Sequence, residues 1–326
     1  MRMGMVGLGR MGGNMTKRLI EHGHEIVAND RNDDVVDAAE AEGAIGAHSL
    51  EELVGKLDAP RAVWVMVPSG QITEDTCNTL ADLMATGDVL IDGGNSNYKH
   101  AQKMAAELAP RGISFLDAGT SGGVWGLKNG YCLMVGGDPE GVAKVEPIFL
   151  DLAPQDGYAH VGPAGAGHFV KMVHNGIEYG MLQAYAEGFA IMNAAEEFDL
   201  DLHEIASIWR YGSVVRSWLL ELAEIALSDS TTFAGIKGYV EDSGEGRWTV
   251  EEAIARSVSA PVITASLFER FSSRAPNSFA ARIVAALRNE FGGHRTFSES
   301  APAEVAKEAA GGHSAGPEGA ASDNPG

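Results

Sequence analysis

The first twelve residues commit the chain to one kind of fold. Met3-Gly4-Met5-Val6 is a short apolar strand that runs straight into Gly7-Leu8-Gly9-Arg10-Met11-Gly12, and the residues on to Glu21 carry apolar side chains at helical spacing. A G-x-G-x-x-G run is a weak signal alone and a much stronger one between a strand and a helix. There Gly7 permits the tight turn, Gly9 lets a pyrophosphate approach the backbone, and Gly12 lets helix and strand lie close. The helix N-terminus, with Leu8, Arg10 and Met11 around it, offers unpaired N–H groups and a partial positive charge to phosphates. A dinucleotide is the expected ligand.

A second strand, Glu25 to Asn29, ends at Asp30, where a carboxylate accepts hydrogen bonds from both ribose hydroxyls of NAD and repels a 2′-phosphate. Arg31 follows, and an arginine there can pair with the 2′-phosphate of NADP or stack on adenine. The two residues pull opposite ways; NAD is favoured because the carboxylate lies closest to the 2′ position, and both dinucleotides stay open.

Further strands are expected over Ala62 to Val67, Val89 to Asp92, Ile113 to Ala118 and Tyr131 to Val135, with helices over Gln71 to Met84 and Tyr98 to Leu108. This alternation predicts a parallel, doubly wound α/β sheet that binds ligands at the carboxyl ends of its strands. Glycine- or serine-rich loops follow three of them: Val67-Pro68-Ser69-Gly70, Asp92-Gly93-Gly94-Asn95-Ser96 and Ala118-Gly119-Thr120-Ser121-Gly122-Gly123. Val67, Pro68 and Asn95 are expected beside the cofactor. Cys132 reads as an ordinary buried strand residue, and Trp64, Trp125 and Trp209 as core or pocket wall.

After about residue 160 the strand signals stop. One long helical pattern without proline runs from Gly165 to about Phe198, and helices are expected over 202–211, 217–226, 250–259, 260–273 and 278–289. The predicted organisation is a dinucleotide-binding Rossmann domain over 1–161 and an all-helical domain for substrate and dimerisation over 162–296. A disordered acidic tail is expected over 297–326 and a hinge at Gly162-Pro163-Ala164-Gly165.

The long helix carries the most chemistry. Lys171, Asn175 and Glu178 are spaced i, i+4, i+7, so a potential base, an amide and a potential acid share one face, with about 10 Å of rise between the first and last. Phe169, Val170, Met172, Val173 and Ile177 make the segment apolar almost all round, which predicts burial. Burial disfavours the charged form of a lysine, and a lysine pushed toward neutrality can serve as a base. His174, three positions after Lys171, reads as functional, while His168 reads equally well as a core histidine.

Composition narrows the partners. Asp and Glu number 45 against 24 Lys and Arg, a net charge of −21, which disfavours nucleic acid and anionic membrane surfaces and requires any anionic substrate to be held by a local basic pocket. Arginine outnumbers lysine and the surplus acid is spread along the chain, a pattern that suits a high-salt proteome. Two cysteines without metal-ligand spacing, ten scattered histidines and no membrane-length apolar run predict a reduced, cytoplasmic, metal-free protein without a leader segment.

The sequence resembles the 6-phosphogluconate dehydrogenases, specifically the shorter decarboxylating kind within the β-hydroxyacid dehydrogenases, over residues 1–294. Gly165-Ala166-Gly167-His168-Phe169-Val170-Lys171-Met172-Val173-His174-Asn175-Gly176-Ile177-Glu178-Tyr179 carries the likeness most specifically. Gly93–Ser96, Asp117–Gly123, Asp242-Ser243-Gly244-Glu245-Gly246-Arg247-Trp248-Thr249 and Arg288–His294 support it. The resemblance implies oxidative decarboxylation of 6-phosphogluconate to ribulose 5-phosphate with NAD or NADP and without a metal. Lys171 is then the general base and Glu178 the acid that protonates C1. Asn95, Ser121, Gly122, Gly123, His174 and Asn175 would position the substrate, and Tyr179, Arg270, Arg288 and His294 would meet its phosphate.

In the family the last two come from the partner subunit, so the resemblance implies a homodimer or a dimer-based tetramer. One departure stands out: long-chain members carry a phosphate-binding lysine where this chain has Ser243, leaving that contact missing or supplied by Arg247. Two rivals follow. A non-decarboxylating β-hydroxyacid dehydrogenase or reductase would keep Lys171 and Asn175 without needing Glu178. A catalytically silent NAD(P)-binding sensor would need neither Lys171 nor Glu178.

Overall fold

The computed structural model describes residues 1–275, 277–292 and 296. Its centre is an eight-stranded sheet in the order β3-β2-β1-β4-β5-β6-β7-β8. The strands are β1 (Arg2–Val6), β2 (Glu25–Asn29), β3 (Ile45–Gly46), β4 (Ala62–Val65), β5 (Val89–Asp92), β6 (Ser114–Ser121), β7 (Cys132–Gly136) and β8 (Tyr158–Gly162). Alternate side chains feed two cores. Met3, Met5, Trp64 and Ile91 face one layer of helices, while Val63, Val65, Leu90 and Phe115 face the other. Both faces being covered explains why these strands read as unbroken apolar runs.

All neighbours pair in parallel except β6 and β7, which run antiparallel from Asp117 opposite Gly136 to Ser121 opposite Cys132. That pair corrects the wholly parallel expectation and extends β6 three residues beyond Ala118, so Thr120 and Ser121 are strand rather than loop. β4 stops at Val65, leaving Val67 and Pro68 beyond its carboxyl end. β3 and β8 were not expected: β3 has two residues, and β8 is an edge strand whose exposed residues show no alternation to read. Cys132 is exposed, not buried. It opens β7 opposite the last residue of β6, at the rim of the sheet.

Helices follow β8. The long helix Ala166–Ala194 ends in a single 3₁₀ turn, Glu196–Phe198, stopped by Asp199 at φ 46°. Leu202–Trp209 and Trp218–Leu227 lie close to expectation. The helix expected over 250–259 is Glu245–Ala255 instead; Gly244 at φ 92° turns the chain into it early and Ser257 at φ 57° prevents its continuation. A short helix, Ser230–Ala234, lies before Glu245–Ala255, and Pro261–Ser273 and Phe279–Gly292 follow it. The chain divides into two compact units, Met1–Phe271 and Ser272–Gly326, and Phe279–Gly292 belongs to the second. Among the described residues no helix is long and apolar enough to cross a membrane.

Candidate active site

The glycine turn is built as its spacing demands. Gly7 takes φ 92°, and a β-carbon on Gly12 would collide with the Gly7 carbonyl, whereas nothing lies within 4 Å of the corresponding position on Gly9. The helix Arg10–Glu21 starts at Gly9 without a side-chain cap, so no side chain competes for its first N–H groups. Asp30 stands against this turn: one carboxylate oxygen accepts the Leu8 N–H at 2.8 Å and the other the Asn32 N–H at 3.1 Å. Arg31, next to it, is exposed.

The long helix is fastened to the sheet by its first turn. Asp117, fully buried on β6, accepts the N–H of Gly165 at 2.6 Å and of His168 at 2.8 Å. The segment expected as a hinge is therefore tied down. A β-carbon on Gly119 would lie 2.5 Å from the Lys171 β-carbon, and one on Gly167 would collide with the Asp117 and Met134 carbonyl oxygens. Helix and sheet thus meet backbone to backbone where Lys171 leaves the helix.

Of the two readings of His168, the structure gives the buried one. Its ring lies 3.2 Å from Asp92 as an ion pair rather than a directed hydrogen bond. Burial works against the imidazolium, but Asp92, with Asp117 and Glu245, raises the His168 pKa above its ordinary value. Burial also pushes the Asp117 carboxyl up. Asp92 in turn accepts the Gly94 N–H at 2.9 Å, which holds the loop bearing Asn95.

Lys171 is 6% exposed, and its Nζ donates to Asn175 Oδ1 at 2.7 Å, with His174 Nδ1 at 3.5 Å. Burial lowers its pKa, opposed by the charges of Glu245 and Glu178. On the far side of the amide, Asn175 Nδ2 donates to Glu245, a buried carboxylate that sequence reasoning left inside a motif without a role. Burial raises the Glu245 pKa while Lys171 draws it down. Thr249 fixes this second helix to the first, its single hydroxyl proton shared between the Met172 and Glu245 carbonyls at 2.9 and 2.8 Å.

A cleft of about 1030 Å³ runs from Met11 at the glycine turn to Glu178. Around it the structure gathers Asn95, Ser121, Gly122, Gly123, Lys171, His174 and Asn175, with Trp125 and Trp218 as walls. Trp218 was not anticipated. Val170 and Ile177, 37% and 53% exposed, border the cleft, so the long helix is buried on part of its surface rather than all round. Trp64 is core, and Trp209 packs on Phe189 with ring centroids 6.0 Å apart.

Tyr179 does not line this cleft. Its hydroxyl accepts the Ser243 N–H at 3.1 Å, and its ring carries the Arg270 guanidinium 3.4 Å above the centroid. Arg247 pairs with Asp242 through two bonds of 2.6 and 3.1 Å and lies over Phe271. Arg288 is an exposed residue of Phe279–Gly292. His294 and the 297–326 tail lie outside the described residues.

Comparison with known proteins gives this site a context. Residues 2–162 match the family model for the NAD binding domain of 6-phosphogluconate dehydrogenase, and residues 167–306 match its C-terminal domain. YqeC of Bacillus subtilis, which bears the name 6-phosphogluconate dehydrogenase provisionally, is 46% identical over 296 residues, 91% of this chain and 99% of its own. An NAD(+)-dependent, decarboxylating 6-phosphogluconate dehydrogenase of Haloferax volcanii is 42% identical over 296 residues, 90% of this chain and 98% of its own. The solved 6-phosphogluconate dehydrogenase of Plasmodium falciparum superposes with a TM-score of 0.78 at 26% identity, covering 94% of this chain and 68% of that one.

Proposed function

The chain belongs to the 6-phosphogluconate dehydrogenase family, with NAD or NADP as its cofactor, and from that premise we propose that it oxidatively decarboxylates 6-phosphogluconate to ribulose 5-phosphate and CO₂. One observation carries the reading: a buried lysine of lowered pKa and a carboxylic acid about two turns along the same helix share a cleft with the glycine turn. A dinucleotide held at the turn of Gly7, Gly9 and Gly12 would supply the acceptor for the hydride that leaves C3 of the sugar acid. Lys171, neutral at a lower pH than an exposed lysine, takes the proton of the C3 hydroxyl. Loss of CO₂ from the resulting 3-keto acid sends electrons toward the ketone oxygen, where the protonated Lys171 stabilises the developing charge. Glu178 delivers a proton to C1 of the enediol, and Asn95, Ser121, Gly122, Gly123, His174 and Asn175 orient the substrate.

The phosphate is assigned to Tyr179 and Arg270, with Arg288 and His294 supplied by a second copy in a homodimer. Apolar side chains exposed along the long helix away from the cleft, such as Leu182 and Ile191, support association. NAD is the assigned cofactor because Asp30, braced by the Leu8 N–H, keeps a carboxylate beside the glycine turn. The test is incubation in molar salt with 6-phosphogluconate and either NAD or NADP, following reduced cofactor and CO₂ together. Equal yields of the two products support the reading. Reduction without CO₂ replaces it with the non-decarboxylating hydroxyacid reaction, and tight cofactor binding without turnover replaces it with a sensor.

A further inference from the structure

The amide of Asn175 can present either its oxygen or its NH₂ to Lys171, and only the oxygen accepts a hydrogen bond from the amine. What decides between the two faces lies on the other side. Glu245, 2% exposed at the start of Glu245–Ala255, receives Asn175 Nδ2 on Oε2. The same oxygen stands 3.4 Å from Ser243 Oγ. The Glu245 backbone is itself held, because its carbonyl accepts Thr249 Oγ1 at 2.8 Å. A continuous chain of donors and acceptors therefore runs from Ser243 through Glu245 and Asn175 to Lys171.

We propose that Glu245 is a positioning residue for the base: it fixes Asn175 with its oxygen toward Lys171, and it is the buried negative charge nearest in the network to that amine. With one N–H committed to Asn175, the lone pair of the neutral amine is left for the cleft, where the C3 hydroxyl has to lie. Other groups face the pair. Glu178 and His174 lie on the same helix as Lys171, Cys132 on β7 also acts on the lysine, and His168 acts on Glu245. Removing Glu245's charge therefore leaves Glu178 opposite the lysine, and the effect is a shift rather than a collapse.

The inference rests on reading Lys171 as the base, so its test includes a readout that needs no turnover. Competitive labelling of the full-length protein with acetic anhydride across a pH series, read by mass spectrometry on the Lys171 peptide, gives the pH at which that amine becomes nucleophilic. In Glu245→Gln this midpoint is expected to fall by about one pH unit, the low end of what loss of a neighbouring opposite charge does. The acid limb of kcat/KM should move the same way. Glu245→Ala, which also leaves Asn175 Nδ2 without its acceptor, should lose a further tenfold or so in kcat.

An unchanged midpoint in Glu245→Gln overturns the proposal. If Glu245→Gln does not fold, Asn175→Ala cuts the same chain at its middle, and a midpoint equal to the parent's overturns it equally. A parent that turns over 6-phosphogluconate while the midpoint stays put removes Glu245 alone. A parent without turnover, in which Glu245→Gln still lowers the midpoint, removes the proposed reaction and leaves the pairing in place.

Discussion

Gly119→Ala tests whether the contact between helix and sheet sets the reaction geometry. Gly119 sits in β6 with ordinary strand dihedrals, so alanine meets no backbone strain and the whole effect is steric. The new methyl would lie 2.5 Å from the Lys171 β-carbon and 2.7 Å from the Gly167 carbonyl oxygen. Carbon atoms settle at about 3.5–4.0 Å, so helix and strand must separate by roughly 1 Å where Lys171 emerges. Overpacking of this size costs about 1–3 kcal/mol, and for a unit this large each kcal/mol lowers Tm by about 2–4 °C. The catalytic effect should be larger in proportion, because a displacement of about 1 Å at the reacting group costs on the order of a hundredfold in rate. Thermal melting and kcat on 6-phosphogluconate measure both. A variant that melts several degrees lower yet keeps kcat within threefold of the parent would refute the argument that this contact aligns Lys171.

Lys171→Met should lower kcat roughly a thousandfold, within the range expected for loss of a general base, and Glu178→Gln should lower ketose formation about a hundredfold or more; stopped-flow absorbance with product analysis checks both, and near-parental rates exclude the residue concerned. Asp30→Asn, which can still accept the Leu8 N–H, is expected to weaken NAD about tenfold, and Arg31→Ala to weaken NADP; kcat/KM ratios unchanged in both would take cofactor choice away from this turn. His168 has a raised pKa, so the stability it contributes is fully present below its ordinary value of 6.5 and is lost as pH rises through the higher folded value. Urea titrations should show the stability gap between the parent and His168→Gln narrowing above that pH; a gap that widens contradicts the ion pair. The excess of acidic residues predicts a melting temperature that climbs between low and molar salt, and a flat profile would exclude adaptation to high salt.

What the sequence made legible was local. The turn at Gly7–Gly12 and the face shared by Lys171, Asn175 and Glu178 depend on neighbours within a few residues, so spacing alone exposes them. The direction of β7 was hidden, because a strand's residue pattern does not encode which way its neighbour runs. β8 was hidden because an edge strand with exposed residues carries no alternation. Glu245 belongs to a motif that was recognised, yet its partner Asn175 lies 70 residues earlier, and the contact exists only once the helix Glu245–Ala255 folds against the long one. Cys132 shows the opposite error. Its apolar neighbours suggest core, and only its place opposite Ser121 at the end of the strand pair exposes it.

The clamp of Asp117 on the first turn of a 29-residue helix has a consequence for how error spreads along it. At 1.5 Å per residue, Lys171 stands about 4.5 Å along the axis from the clamped His168, and Ala194 about 39 Å. A tilt of about 5° about that fixed point would carry the far end by more than 3 Å and the amine's backbone by about 0.4 Å. Disturbances entering at the distal end, from solvent or from substitution, therefore reach the reacting centre divided by roughly nine. The lysine occupies the part of the rod where leverage is least.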